Sequence, residues 1–267
     1  MSKKFAIVFS LLAVFFFMAF CDDAEKSIRS IYIGTCKGVT VKEIIDTFKR
    51  YNANAVVIDV KDDWGQLFSD LPVQSDSKDV FLTDSSLKTL LNQLKEKKIY
   101  TIARVVTLKD LRRLDLCIKD ENGGIWIDKE KKSWMDPSDK RVCKYLEDVC
   151  TAAVKIGFDE VQLDYIRFSS YFKRESRGIA RINTINSLLD RLYTAVHKAG
   201  GKMSVCVFGC TIEGSVDTPD KQNRTKEVAL ILGQDFIEIA KRCDFICPMI
   251  YPSRNPLRNK TSRFRTL

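Results

Sequence analysis

The sequence predicts an α/β protein built on a parallel sheet, and within that class it favours a β/α barrel. Short apolar runs alternate with segments of helical periodicity along most of the 267 residues. The runs are apolar on both faces, as in strands that helices cover on both sides. Polar side chains recur at their carboxyl ends, where β/α barrels hold their functional groups. An open doubly wound sheet is the alternative, but the turn at 35–38 lacks the glycine pattern of a dinucleotide site.

Six strands are predicted, with helices between them. The predicted strands are 30–35, 55–60, 99–106, the apolar stretch that ends at Asp164, 203–209 and 245–251. The predicted helices cover 41–48, 87–94, 137–156, 182–197 and 236–240. Thr40 is the expected N-cap of the first, and Asp136 before Pro137 is the expected N-cap of the third. The segments 107–134 and 213–227 are predicted to be polar connections.

Residues 1–21 have the form of an export signal. Two lysines, Lys3 and Lys4, precede a mainly apolar run over 5–20, which is short for a membrane span, and Cys21 follows it. This predicts a lipoprotein signal in which Cys21 receives the lipid, followed by a linker over 22–29. Phe20 departs from the small residue usual at such a site, so a simple signal anchor is the alternative. We therefore expect an exported protein, anchored in the membrane and facing the periplasm or the cell surface.

The charge of the chain lies mostly at its two ends. The formal net charge is +9, with 45% hydrophobic and 30% charged residues, a globular composition. Lys3 and Lys4 supply two positive charges and 254–267 supplies five, so the remainder carries a net charge of +2. A nearly neutral body argues against a nucleic-acid partner.

Side-chain alternation along the strands predicts a polar ring at the mouth of the barrel. Val56, Ile58 and Val60 should face the helices. The inward positions near the carboxyl ends of the strands are then Asp59, Lys61, Arg104, Asp164 and Tyr251.

Several ordered motifs together resemble those of the bacterial "putative glycoside hydrolase" TIM-barrel domain family. The resemblance covers roughly 31–253 and is carried by 57–63 (VIDVKDD), 103–106 (ARVV), 134–137 (WMDP), 158–168 (FDEVQLDYIRF), 207–209 (VFG) and 248–253 (PMIYPS). It implies a (β/α)₈ fold and carbohydrate hydrolysis. Cys206 stands where the family usually has Asp, and Arg254 stands where it has His.

The eight-stranded barrel is expected to be truncated after about six β/α units. Each unit takes about 43 residues, so two more would need roughly 80–90 residues after residue 253. The domain over 30–253 is therefore expected to be incomplete, and the basic tail over 254–267 to be non-native or disordered. Two unpaired edge strands would make such a fragment prone to aggregation.

Glycoside hydrolysis usually requires two carboxylates. Asp164 ends an otherwise apolar strand and is the candidate nucleophile or stabilising carboxylate; the alternative is a structural Asp paired with Arg104 or Arg167. The candidates for the second carboxylate are, in order, Asp62, Asp59 and Glu213. For Asp59 the alternative is an ion pair with Arg104, and for Glu213 a solvated surface position.

The candidate substrate-binding residues are basic or aromatic: Lys61, Arg104, Arg167, Trp64, Trp134 and Tyr251. The basic residues would hold a carboxylated or hydroxyl-rich sugar, and the aromatic residues would stack on sugar rings. No cofactor or metal is predicted. The eight cysteines other than Cys21 match no zinc template and are interpreted as small core residues, with disulfides as the alternative in an oxidising compartment.

The predicted function is hydrolysis of a polysaccharide or oligosaccharide at the carboxyl ends of the strands. Whether the chain is an active enzyme stays open at this stage. The alternatives are a non-catalytic carbohydrate-binding lipoprotein of the cell envelope and an inactive truncated remnant.

Overall fold

A computed structural model describes residues 27–34, 39–67, 71, 87–172, 178–212 and 219–250. Six strands lie in this part of the chain: β1 (Ser30–Tyr32), β2 (Ala55–Lys61), β3 (Tyr100–Val106), β4 (Glu160–Asp164), β5 (Lys202–Phe208) and β6 (Phe245–Met249). The α-helices are α1 (Val41–Tyr51), α2 (Leu87–Glu96), α3 (Lys140–Ile156), α4 (Ile179–Ala199), α5 (Pro219–Leu232) and α6 (Phe236–Ala240). The signal segment, Cys21, Glu213, Tyr251 and the tail over 254–267 lie outside the described residues.

The strands form one parallel sheet in the order β1-β2-β3-β4-β5-β6. Each strand pairs with the next one along the chain, and each of the five connections contains at least one α-helix. A long loop follows β3 before α3 begins. This confirms the predicted α/β class and the six β/α units. Since all strands run in the same direction, their carboxyl ends lie at one edge of the sheet.

The main core lies between the sheet and the helices. Val56, Ile58 and Val60 of β2 join this core, together with the leucines of α2. A smaller cluster of Ala55, Val57 and Ile102 lies on the other face of the strands. The predicted alternation of β2 is thus confirmed from Val56 to Val60.

The first helix begins as the sequence predicts. Thr40 caps α1 through the backbone amide of Glu43, and the Glu43 carboxylate accepts from the Thr40 amide at 2.7 Å. This capping box satisfies donors at both residues. Gly157 ends α3 and Gly200 ends α4.

Two element predictions are wrong. Asp136 is not the N-cap of α3; its carboxylate accepts from the Ser138 amide in a turn, and Asp139 caps the helix instead. The polar segment 213–227 is not all loop, because α5 begins at Pro219. Within the described residues, every helix is too short or too polar to cross a membrane.

Candidate active site at the carboxyl ends of the strands

Arg104 holds two carboxylates at the carboxyl ends of β2, β3 and β4. Its Nη1 donates to Asp59 Oδ1 at 2.7 Å, while Nε and Nη2 donate to Asp164 Oδ2 at 3.0 and 2.7 Å. The side chains of Arg104, Asp59 and Asp164 are 18%, 8% and 12% exposed. They therefore form a mostly buried group that solvent, or a small ligand, can still reach.

The strand register explains why these three residues meet. Asp59 of β2 lies beside Arg104 of β3, and Asp164 of β4 lies two residues further along β3, beside Val106. The long Arg104 side chain spans this offset. Burial alone would lower the pKa of Arg104, but the charges of Asp164 and Asp59 raise it above its ordinary value.

Tyr32 of β1 completes this carboxylate–arginine cluster. Its hydroxyl donates to Asp59 Oδ2 at 2.6 Å, and the guanidinium carbon of Arg104 lies 5.5 Å from the centre of its ring. Burial and the hydrogen bond to Asp59 raise the pKa of Tyr32 to about 12. The phenol thus stays protonated and keeps donating to Asp59 at physiological pH.

Lys61 does not join the ring as the alternation predicts. A register irregularity between Asp59 and Lys61 places Lys61 beside Val105, whose side chain belongs to the helix-side core. The ammonium group is fully buried and lies 3.0 Å from Asp110 Oδ2. In this position Lys61 has no exposed surface for a sugar.

Asp62 orders the turn after β2. Its Oδ1 accepts from the amides of Trp64 and Gln66, both at 2.9 Å. The side-chain amide of Gln66, oriented with its nitrogen toward Asp62, donates to Asp62 Oδ2 at 3.2 Å. Burial raises the pKa of Asp62, the direction that a general acid requires.

An aromatic–cation cluster lies next to Asp164. It consists of Lys109, Trp134, Tyr165, Arg167 and Phe208. The guanidinium carbon of Arg167 lies 4.9 Å from the ring of Trp134 and 4.6 Å from that of Phe208, and Lys109 Nζ lies 4.7 Å from the ring of Tyr165.

The predicted aromatic residues differ in exposure. Trp134 is buried, and its Nε1 donates to Asp128 Oδ2 at 2.8 Å. It therefore lies against Arg167 and Lys109 rather than open to solvent. Trp64 is 55% exposed, with Lys132 Nζ 3.4 Å from its ring centre.

Sequence reasoning missed Tyr32, Lys109 and Tyr165. Tyr165 follows Asp164 with a φ of 53°, a left-handed conformation that is uncommon for a bulky residue and is often found at functional sites. Its amide donates to Asp164 Oδ1 at 2.8 Å. The sequence contains no signal for this backbone conformation, although the position of Tyr165 directly after a strand-end carboxylate was a reason to consider it.

Cys206 of β5 and Asp164 of β4 each lie one residue beyond the last paired position of these two strands. Leu163 pairs with Val205 and Cys206 pairs with Cys247 of β6. The two thiols share a hydrogen bond. This bond and burial raise the pKa of Cys206, whereas the same bond lowers the pKa of Cys247. Both thiols are free.

Comparisons with known proteins agree with this architecture. The model of the family described as "Putative glycosyl hydrolase domain" matches residues 30–258. A crystal structure of a hypothetical protein from Ruminiclostridium thermocellum is similar, with 28% identity and a TM-score of 0.52 over 66% of this chain and 96% of that one. No curated protein matches the chain in sequence.

One more distant solved structure shows likeness of fold. The pneumococcal virulence factor StrH, in a structure described as giving insight into N-glycan recognition and hydrolysis, has 11% identity and a TM-score of 0.50. That match covers 67% of this chain and 54% of StrH. An alpha-galactosidase from Thermus thermophilus has 12% identity and a TM-score of 0.46, over 68% of this chain and 40% of that one. The chain therefore spans about half or less of these two glycosidase structures.

Proposed function

Because the chain belongs to the family of the "Putative glycosyl hydrolase domain", we propose that it hydrolyses a glycosidic bond of an oligosaccharide or polysaccharide with Asp164 as the central carboxylate. The observation that carries this proposal is the position of Asp164. It ends β4 at the edge of the sheet where barrel enzymes hold their catalytic groups. Arg104 and the Tyr165 amide together hold both of its oxygens in place.

Asp164 is suited to stabilise a positively charged sugar or to attack it. An oxocarbenium-like transition state develops positive charge at the anomeric carbon, which a fixed carboxylate stabilises. Arg104 offers only donors, and Asp164 Oδ2 accepts from two of them. Asp59 balances the charge of Arg104 from the other side, which leaves Asp164 less fully neutralised than in an isolated ion pair.

We assign the general acid to Asp62. Glycoside hydrolysis needs a group that holds its proton until it is given to the leaving oxygen, and burial raises the pKa of Asp62 in that direction. Asp59 is less suited because it forms an ion pair with Arg104, whose Nη1 lies 2.7 Å from Asp59 Oδ1. In an Asp62→Asn variant, aryl glycosides with good leaving groups should lose far less activity than natural sugars; equal losses would contradict this assignment.

The test of the main proposal is Asp164→Asn in the full chain. The Asn side chain has the same size but no negative charge, so release of reducing ends from a polysaccharide panel should fall by roughly 10³-fold. Asp148→Asn, on the exposed face of α3, is the matched control and should leave hydrolysis unchanged. Undiminished hydrolysis in the folded Asp164→Asn variant would exclude Asp164 as the central carboxylate.

A non-catalytic carbohydrate-binding function is the second candidate. Its support is that Cys206, a thiol, rather than a second carboxylate follows the last residue of β5 that pairs with β4. Binding on a glycan array without any hydrolysis of the bound glycans would favour this candidate.

Export and lipid anchoring of Cys21 belong to the same proposal. They rest on the pattern of residues 1–21 and would bring the domain to glycans of the cell envelope. Metabolic labelling with palmitate tests the anchor, which would be refuted by equal labelling of the Cys21→Ala variant.

A further inference from the structure

Arg167 is a buried cation that forms no ion pair with a carboxylate of the described residues. The residue is 9% exposed, and Nη1 donates to the Phe168 carbonyl at 3.0 Å. Among the described residues, no carboxylate lies within ion-pair distance of its guanidinium. Burial lowers the pKa of Arg167, as expected where desolvation disfavours the charged form.

The guanidinium edge of Arg167 that typically binds carboxylates forms no hydrogen bond within the described part of the chain. Nη1 is the one guanidinium nitrogen that forms a hydrogen bond within the described part of the chain. This leaves the edge formed by Nε and Nη2, two parallel donors that match the two oxygens of a carboxylate. The aromatic rings of Trp134, Tyr165 and Phe208 contact the guanidinium at 4.9, 5.3 and 4.6 Å, and thereby fix its orientation.

Lys109 places a second cation at the same aromatic rings. Its Nζ lies 4.7 Å from the centre of the Tyr165 ring and 6.0 Å from that of Trp134. Its acidic neighbour is Glu130, with Oε2 at 3.5 Å, and the Glu130 side chain is 58% exposed. The Lys109 side chain is 5% exposed, so this ion pair is long and open to solvent only at its acidic end. A ligand carboxylate can therefore replace Glu130 at Lys109.

The nearby acids are held by other groups. Asp164 and Asp59 both bind Arg104. Asp128 accepts from Trp134 Nε1 through Oδ2 and from the amides of Glu130 and Lys132 through Oδ1. These carboxylates cannot turn toward Arg167 without losing those hydrogen bonds.

We propose that the aromatic–cation cluster is a subsite for the carboxylate of an acidic sugar. The sugar carboxylate would accept from the Nε and Nη2 edge of Arg167 and from Lys109 Nζ, beside the bond to be cut at Asp164. This inference deepens the proposed function and rests on it for the identity of the ligand as a glycan. It assigns the substrate class as glycans that contain uronic acids.

The experiment compares binding of D-glucuronate and D-glucose, which differ in having a carboxylate or a hydroxymethyl group. Binding to the full chain is followed by tryptophan fluorescence, since Trp134 contacts both cations. Charge-assisted hydrogen bonds predict at least about tenfold tighter binding of glucuronate. Equal binding of the two sugars by the wild-type chain would overturn the proposal.

Variants assign the preference to individual side chains. Arg167→Met should reduce glucuronate binding to the level of glucose, and Lys109→Met should weaken it by a smaller factor. Glu130→Gln, at an exposed position that does not risk the fold, should strengthen glucuronate binding because it removes the competing carboxylate; no change would contradict the role of Lys109.

The control is Arg191→Met, which removes one positive charge at the contact of α4 with Glu147 of α3. It should keep the preference for glucuronate, and a loss equal to that in Arg167→Met would show a non-specific charge effect and overturn the proposal. Tighter binding of glucose 6-sulfate than of glucuronate would overturn the carboxylate assignment. Binding of these monosaccharides requires no hydrolysis, so this test and the Asp164→Asn test can fail independently.

Discussion

Lys61 illustrates how one buried charge organises the loop after β3. Its ammonium group lies 3.0 Å from Asp110 Oδ2, with both side chains fully buried, and donates to the carbonyls of Val106 and Lys109. Asp110 Oδ1 in turn accepts from the amides of Arg112 and Arg113. Since Lys109 begins the aromatic–cation cluster, the buried pair positions one of its cations.

Lys61→Met should destabilise the protein strongly, because Asp110 would remain as an uncompensated buried charge. Loss of one partner of a buried ion pair typically costs about 3–5 kcal/mol, which urea unfolding would show as a lower midpoint. Lys144→Met, which removes an exposed pair with Asp148 on α3, is the control and should cost less than about 1 kcal/mol. A stable Lys61→Met variant with weakened sugar binding would restore Lys61 as a substrate-binding residue.

At the scale of residues, the sequence predicts the position of a side chain correctly where that position depends on strand alternation alone. Asp59, Arg104 and Asp164 come together as expected because each belongs to a regular strand. Lys61 does not, because the register of β2 against β3 changes just before it. The alternation rule carries no information about such an irregularity. The role of each residue in catalysis stays a prediction.

The connection from α4 to β5 shows two different reasons for a glycine. Gly200 has a φ of 92° and caps α4, while a Cβ atom on it would have no neighbour within 4 Å. Gly201 lacks a positive φ, but a Cβ atom there would lie 2.5 Å from Val154 Cγ2 of α3. The first position requires a backbone conformation and the second requires space.

Substitutions at these two glycines should therefore behave differently. Gly200→Asn should be nearly neutral because Asn tolerates the left-handed region, whereas Gly200→Ala should cost about 1 kcal/mol. Gly201→Ala should cost about 1–3 kcal/mol through overpacking. Urea unfolding of all variants gives these differences.

Val154→Ala, combined with each glycine substitution, tests the steric explanation because it removes the methyl group that a Cβ atom on residue 201 would meet. It should recover part of the loss in Gly201→Ala, with a coupling energy above about 0.5 kcal/mol, and none of the loss in Gly200→Ala. Strict additivity of Gly201→Ala with Val154→Ala would show that the steric explanation is wrong.

Element boundaries were predictable where one signal dominated. The capping box of Thr40 and Glu43 marks the start of α1 without a competing pattern. Asp136 and Asp139 both precede α3, and an Asp before a proline suits a turn as well as a helix start. The helix α5 was missed because its first half is polar, which resembles a loop in composition.

Across the whole molecule, the two ends of the strands carry different polar groups. At the carboxyl ends, Arg104 of β3 binds Asp164 of β4. At the amino ends of the same strands, the hydroxyl of Tyr100 donates to Glu160 Oε2 at 3.1 Å. In barrel proteins the carboxyl ends of the strands serve catalysis and the amino ends serve stability. We therefore expect mutations at the two ends to affect different properties.

Glu160→Gln should change the pH dependence of stability and leave hydrolysis unchanged. Burial raises the pKa of Glu160 in the folded protein, so the folded state holds its proton in a pH range where the unfolded state, with a pKa of about 4.3, has lost it. The free energy of unfolding of the wild type therefore decreases as the pH rises through that range. The Gln variant should be more stable than the wild type at pH 7, and the difference should vanish below about pH 4.

Urea unfolding at several pH values between 4 and 8 measures this difference, and Glu121→Gln at an exposed loop position controls for the loss of one carboxylate. Asp164→Asn provides the opposite pattern, with a large loss of hydrolysis. Lys202 lies opposite Glu160 in the β4–β5 register. If the Glu160→Gln variant is less stable than the wild type at pH 7, neighbours such as Lys202 stabilise the charged carboxylate by more than burial destabilises it. A loss of hydrolysis in the folded Glu160→Gln variant would instead contradict the division of function between the two ends of the barrel strands.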